Sequence, residues 1–334
     1  MSTPALHPLL DAALRRRGVD AALRGRRVCV TGGAGFIGSH LVETLVAVGA
    51  TVTVIDDLSS GYRSNLDTVT DAVRFVHGSI LDESTLDDGL GGLGSAGTVF
   101  HLAALGSVPA SVERPQHTFS VNADGTLAVL EAARRNGVPK VIYAASSSAY
   151  GDGHESPKVE SMCPDPLSPY AASKLAGEAL LRCHAHCYGL SCLSLRYFNV
   201  FGPRQRADSA YAAVVPRFAA ALRAGEAPEI YGTGEQTRDF TPVANVVFAN
   251  LLAAADTQVF RGQVINIAGG SAISLLSLLE TMRTLIPNDA PPARHQPPRV
   301  GDVMHSLAGV EQARALIGFE SLLSVEEGMR LTLA

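Results

Sequence analysis

The chain has 334 residues, 46% apolar and 18% charged, which suits one large α/β unit or two joined lobes and excludes a disordered protein. A net charge of −5 argues against phosphate-backbone binding as the main activity, and no apolar run reaches the ~18 residues of a membrane span. Five irregularly spaced cysteines imply no disulfide framework and the N-terminus carries no secretory pattern, so a soluble, cytoplasmic protein is expected.

Residues 1–25 read as a short helix whose basic cluster, Arg15, Arg16 and Arg17, is a solvated face rather than a nucleic-acid arm. From Arg26 the alternation becomes regular. Arg27–Thr31 is a short apolar strand, a glycine cluster follows, Phe36–Val48 has helical periodicity, and Thr51–Ile55 is a second, β-branched strand. Further strands are predicted at Val73–His77, Thr98–His101, Lys140–Ala145 and Cys192–Tyr197, and Val264–Ala268 returns late to the same sheet. Helices are clearest at His117–Asn136 and Ser168–Tyr188. Strands alternating with helices mean βαβ units and a parallel sheet covered on both faces. Residues 199–236 are loop-rich, and Pro287–Pro298 holds five prolines without an apolar period. The expected organisation is a helical extension (1–25), a Rossmann-type doubly wound domain (26–198 plus 237–272) and a smaller C-terminal substrate lobe (199–236 plus 273–334).

Between the first strand and its helix, the run Val28-Cys-Val-Thr-Gly-Gly-Ala-Gly-Phe-Ile-Gly-Ser places Gly32, Gly35 and Gly38. The first glycine permits a tight turn, the second lets backbone approach a pyrophosphate, and the third lets helix pack on strand. The following helix N-terminus offers free N–H groups and the positive end of its dipole to an anion. Asp56 ends the second strand near the ~20-residue offset of a ribose-binding acid, which favours NAD over NADP.

Ser168-Pro-Tyr-Ala-Ala-Ser-Lys starts a helix, with Ser168 suited to the N-cap and Pro169 to its first turn. Tyr170 and Lys174 then lie one turn apart on one face, in a chain with only three lysines. A phenol with pKa near 10 is a poor base at neutral pH. A nearby ammonium, together with a bound nicotinamide cation, would draw it toward the operating pH. Ser146, Ser147 and Ser148 follow the fifth strand, where a parallel sheet presents its ligands. Cys183-His-Ala-His-Cys187 is not expected to hold metal, because His184 and His186 leave the helix face that the two cysteines share.

Together these residues resemble the extended short-chain dehydrogenase/reductase superfamily and its nucleotide-sugar 4-epimerases, most of all bacterial UDP-N-acetylglucosamine 4-epimerases, from about Arg26 to the C-terminus. The supporting strings are Ala104-Leu-Gly-Ser-Val-Pro, Ala144-Ala-Ser-Ser-Ser-Ala-Tyr-Gly-Asp, Pro166-Leu-Ser-Pro-Tyr-Ala and Leu195-Arg-Tyr-Phe-Asn-Val-Phe-Gly-Pro-Arg-Gln. Ala210-Tyr-Ala-Ala-Val-Val-Pro and Gly301-Asp-Val-Met-His-Ser-Leu-Ala add to them. The resemblance implies Tyr170 as catalytic base, Lys174 on the nicotinamide ribose and Ser146 in the proton path. Phe36, Ile37, Asp57, Ser79 and Ile80 would complete the cofactor site with Leu102, Ala103, Ala104, Asn122 and Tyr197. Ser107, Val215 and Tyr231 would meet the substrate with Ser147 and Ser148, and Asn199, Arg238, Arg299 and Asp302 would grip its diphosphate and uridine.

The implied reaction is C4 epimerisation of UDP-GlcNAc and UDP-GalNAc, and also of UDP-Glc and UDP-Gal, through a 4-keto sugar that turns over about its diphosphate tether while NAD takes and returns the hydride. Ser306 matches a gatekeeper position where a bulky aromatic would exclude an N-acetyl group. A homodimer through helices 117–136 and 168–188 is implied as well. Two departures stand out: Ser79 where the family often has an adenine-contacting Asp, and Thr241-Pro-Val-Ala after Arg238-Asp-Phe. The rival functions are a UDP-glucuronate 4-epimerase, whose serine-rich turn looks alike, and a non-catalytic NAD-sensing regulator. The intact tyrosine–lysine pair counts against the regulator. A 4,6-dehydratase would carry an Asp-Glu pair where this chain has Ser147 and Ser148.

Overall fold

The computed structural model describes residues 7–153, 155–206, 213–287, 289–297 and 304–333. Seven strands form its central sheet: β1 (Arg27–Thr31), β2 (Thr51–Asp56), β3 (Val73–His77), β4 (Thr98–His101), β5 (Lys140–Ser146), β6 (Ser191–Tyr197) and β7 (Arg261–Ile267). Every pairing is parallel and the spatial order is 7-6-5-4-1-2-3. The chain winds one way from β1 to β3 and the other way from β4 to β7. The loops that leave β1 and β4 therefore diverge and open a crevice at the carboxyl ends of those strands.

Period-two alternation explains the two apolar layers. Val28, Val30 and Phe100 face a layer closed by the helices Phe36–Ala47 and Val243–Ala255, whereas Cys29 and Val99 face Leu86, Val129, Leu130 and Leu181 on the other side. Both faces of the sheet are buried, so the central strands read as nearly continuous apolar runs. A third cluster, around Phe201, Phe218, Leu222, Ile230, Phe240 and Met282, lies outside the sheet. Short ladders accompany it: Thr237–Asp239 runs antiparallel to Ala272–Ser274 and parallel to His305–Ser306, and Glu229–Tyr231 runs parallel to Arg294–Gln296.

Several elements differ from the expected ones. The N-terminal segment is two helices, Pro8–Arg16 and Val19–Leu23, broken where Gly18 takes a φ of 68°. Their Leu10, Leu14, Val19 and Leu23 pack into the first layer. The helix expected from His117 begins at Pro115 and widens into a π turn over Ser120–Asp124 before Gly125–Arg135. β7 starts at Arg261, three residues early, through an irregularity at Gly262, whose φ is 77°. Thr237–Asp239 pairs away from the seven-stranded sheet, and Ala313, Ile317 and Phe319 pack into the layer beneath it. Among the described residues no helix is long and apolar enough to cross a membrane.

Candidate active site

The glycine turn ends β1 and leads into the helix Phe36–Ala47. Gly32 has a φ of 71°, and a Cβ there would stand 2.7 Å from the Ala103 nitrogen; a Cβ on Gly38 would fall on the Gly32 carbonyl oxygen. Only glycine closes this turn. Asp56 ends β2 and accepts from the Ala34 N–H at 2.9 Å and the Leu58 N–H at 2.8 Å. Burial is the main influence on its carboxyl and raises its pKa, while the two N–H bonds pull it back.

A cavity of about 500 Å³ runs from Asp56 and Asp57 past Gly35, Phe36, Ile37 and Gly38 to Tyr170 and Lys174. Ile80, Leu102, Ala103, Ala104 and Tyr197 also line it, as does Ser107. A backbone cradle that side chains would fill, a helix N-terminus and a strand-end carboxylate together fit a dinucleotide.

Ser168 caps the helix Pro169–Tyr188 by accepting from the Ala171 N–H at 3.1 Å, and the Tyr170 N–H donates to Ser111 Oγ at 3.1 Å. Tyr170, Lys174 and Glu178 then follow at successive turns. Lys174 Nζ donates to the Ala144 carbonyl at 2.9 Å and stands 4.8 Å over the Tyr143 ring. Behind it, Glu178 accepts a fork from Arg196 at 2.8 and 2.7 Å, with both side chains buried.

Burial is the largest influence on both groups of the tyrosine–lysine pair. It pulls Lys174 from 10.5 down to about 7, opposed by Glu178, and pushes the Tyr170 phenol up, opposed by a hydrogen bond from Ser146. The protein alone thus does not supply the lowering of the phenol by a full ammonium charge that the sequence suggests. Burial strips the ammonium of hydration and so disfavours its charged form. Ser146 in turn accepts from the Ser148 N–H at 3.2 Å and from Ser148 Oγ at 2.8 Å, in the turn Ser147–Tyr150 after β5.

Two expected cofactor residues lie off the cavity lining. Ser79 Oγ accepts from the Leu81 N–H at 3.2 Å. Asn122 is buried behind the wall, accepting from Leu105 N–H at 2.8 Å and donating to the Leu105 carbonyl and Ser173 Oγ. It braces the Leu102–Gly106 wall against the Tyr170 helix, through the π turn.

On the expected substrate side, Asn199 takes a φ of 33° and donates to the Asp239 carbonyl at 3.2 Å. Arg238 lies beside Ser306 in the parallel ladder and donates to the Thr237 and Met304 carbonyls. Tyr231 has the Arg217 guanidinium 5.3 Å over its ring, and Val215 is buried in the helix Val214–Ala224. Arg299 and Asp302 lie outside the described residues. Lining residues missed from sequence include Ser59, Ser60, Tyr62, Arg204, Gln205 and Arg206. The Leu-Ser-Ser-Gly-Tyr run directly after Asp56-Asp57 was the available signal for the first three.

Parallel sheet, glycine turn and strand-end carboxylate define a dinucleotide-binding enzyme fold of the short-chain dehydrogenase/reductase kind. Residues 28–268 match the family described as "NAD dependent epimerase/dehydratase family", and the chain belongs to it. A UDP-glucose 4-epimerase of Mycolicibacterium smegmatis is 38% identical over 309 residues, covering 92% of this chain and 97% of its own. A UDP-N-acetylglucosamine 4-epimerase from Methanobrevibacter ruminantium, solved with UDP-N-acetylmuramic acid, superposes with a TM-score of 0.87 at 39% identity, covering 93% of this chain and 97% of that one. A Thermus thermophilus UDP-glucose 4-epimerase solved with NAD gives 0.83 at 36%, covering 92% and 97%.

Proposed function

We propose that the protein interconverts UDP-N-acetylglucosamine and UDP-N-acetylgalactosamine at C4, and also accepts UDP-glucose and UDP-galactose. One juxtaposition carries this: the Tyr170 hydroxyl faces Ser146 at the cavity, with Lys174 one turn behind. Bound NAD supplies a reversible hydride acceptor. Gly32, Gly35 and Gly38 would hold its diphosphate and Asp56 a ribose. Tyr170 Oη takes the proton of the C4 hydroxyl and later gives it back, Ser146 steadies that proton, and Lys174 supports the phenolate and the nicotinamide ribose. Asn199 and Arg238 hold the nucleotide diphosphate, with Arg299 and Asp302, while the sugar stays loose enough to turn. Binding energy from the remote nucleotide keeps the oxidised sugar in place.

Ser306, beside Arg238, sets the room for an N-acetyl group. The dinucleotide domain is 26–198 plus 237–272, and the remainder beyond residue 198 is the nucleotide-sugar lobe. A homodimer through helices 117–136 and 168–188 would cover Val112, Phe119, Leu127 and Tyr188, which are exposed. A cytoplasmic location suits five cysteines that are all free thiols.

Purified protein incubated with UDP-GlcNAc should yield UDP-GalNAc, read by chromatography. Tyr170→Phe should bind UDP-sugar and lose turnover by about 10²–10⁴-fold. Turnover of UDP-glucuronate alone would overturn the substrate in favour of the glucuronate epimerase, and NAD binding without any turnover would favour a regulator.

A further inference from the structure

The wall of the cofactor cavity includes Arg204, Gln205 and Arg206 of the loop Gly202–Arg206, far along the chain from the glycine turn. It reaches back to the cofactor side at five points. His40 Nε2 donates to the Pro203 carbonyl at 3.0 Å. Arg204 divides its guanidinium, giving one arm to Ser39 Oγ at 3.1 Å and the other to Glu43 Oε1 at 2.7 Å. Arg206 donates to the Ser60 carbonyl at 3.5 Å and stands 5.0 Å over the Tyr62 ring. Ser39, His40 and Glu43 belong to the helix that follows the glycine turn, and Ser60 and Tyr62 to the loop after Asp56 and Asp57. One loop therefore grips both edges of the cavity's nucleotide end.

The backbone carries the same mark. Among the described residues three non-glycines have a positive φ, and two of them, Leu58 at 59° and Arg204 at 66°, lie in the two loops that this grip joins. Non-glycine residues hold that conformation only where their surroundings over-determine it, a condition common at ligand clamps. Arg204 is fixed by its fork, and Glu43 is itself held by Thr68. Gln205, between the two arginines, has a buried Oε1 that makes no hydrogen bond within the protein.

We propose that Arg204 and Arg206 are positioning residues that clasp the Gly202–Arg206 loop over the nucleotide end of the cavity and set how long the cofactor stays. Cofactor leaves only when the loop lifts from helix Phe36–Ala47 and from Ser60–Tyr62. An enzyme that returns its hydride to the same substrate gains from such retention, since losing the reduced cofactor in mid-cycle would stop turnover. The clasp needs only the cofactor site; it stands whichever sugar is turned over.

The test uses full-length protein loaded with isotope-labelled NAD and chased with unlabelled NAD, for wild type, Arg204→Ala, Arg204→Lys, Arg206→Ala, Glu43→Gln and the Arg204→Ala/Glu43→Gln pair. Release from Arg204→Ala should quicken by at least about tenfold, since such changes act mainly on dissociation. Arg204→Lys should fall between, and the double variant should be no faster than Arg204→Ala, because both break one contact. Release within about twofold of wild type for both arginine variants, or additive effects in the double variant, would overturn the clasp. So would quicker release that merely tracks a lower melting temperature of the cofactor-free variants. Because release is read without any sugar present, failure here is distinct from failure of the proposed epimerisation.

Discussion

The tyrosine–lysine pair should titrate as one unit, and the pH profile of turnover should expose it. Burial brings Lys174 to about 7 and holds the Tyr170 phenol above its usual value. A phenolate beside an ammonium carries the same number of protons as a phenol beside a neutral amine, so both arise when the fully protonated pair loses its first proton. That loss falls near 7, set by the lysine, whichever atom gives up the proton. The sign follows: below 7 the pair is fully protonated and idle, and as pH rises through 7 the reactive form fills. With one such proton, kcat/KM should climb about tenfold from pH 6 to pH 8 and then level off. In Lys174→Met only the buried tyrosine remains, its phenol held above its usual value, so activity at pH 7 should fall and the rising limb should move to higher pH. The assay is initial-rate conversion of UDP-GlcNAc by NAD-saturated enzyme between pH 5.5 and 9.5, the working range about this pair. A wild-type profile that is flat across that range, or a Lys174→Met limb still near 7, would refute the coupling.

Other consequences are separable. Glu178→Gln leaves the Arg196 guanidinium buried without its carboxylate partner, which should destabilise the protein by about 3–5 kcal/mol. Urea unfolding reads this, and an unchanged midpoint would show that the pair adds nothing. Ser306→Tyr should depress kcat/KM on UDP-GlcNAc far more than on UDP-glucose, whereas equal losses would remove Ser306 as a size gate. Gly38→Ala drives a methyl onto the Gly32 carbonyl and the Gly33 Cα, both backbone, so the turn must open. NAD binding by calorimetry should be lost, and retention near wild-type affinity would mean that the diphosphate lies elsewhere.

The sheet was legible because its signals are local. Short apolar or β-branched runs such as Val28-Cys-Val and Thr51-Val-Thr-Val-Ile, separated by helical stretches, state the strands and their parallel sense, and Ser168-Pro169 marks the start of the tyrosine helix. Contacts between distant segments were not legible. Arg204 and Glu43 are 161 positions apart, and nothing near either residue announces the other. Asn122 meets the back of the wall from within a π turn, and no apolar pattern encodes that turn. Ladders of two or three residues, such as His305–Ser306, are too short to carry a period. Burial of Lys174 also depends on Tyr143 and Ala144 from β5, so the charge balance of the pair was beyond reach of helical spacing alone.

The most direct test is proton NMR of UDP-GlcNAc incubated with the purified protein in D₂O. Appearance of UDP-GalNAc whose C4 still carries the original hydrogen is the expected result, because that hydrogen leaves and returns within one closed site. Deuterium at C4 of the product, or no C4 epimer at all, would contradict it.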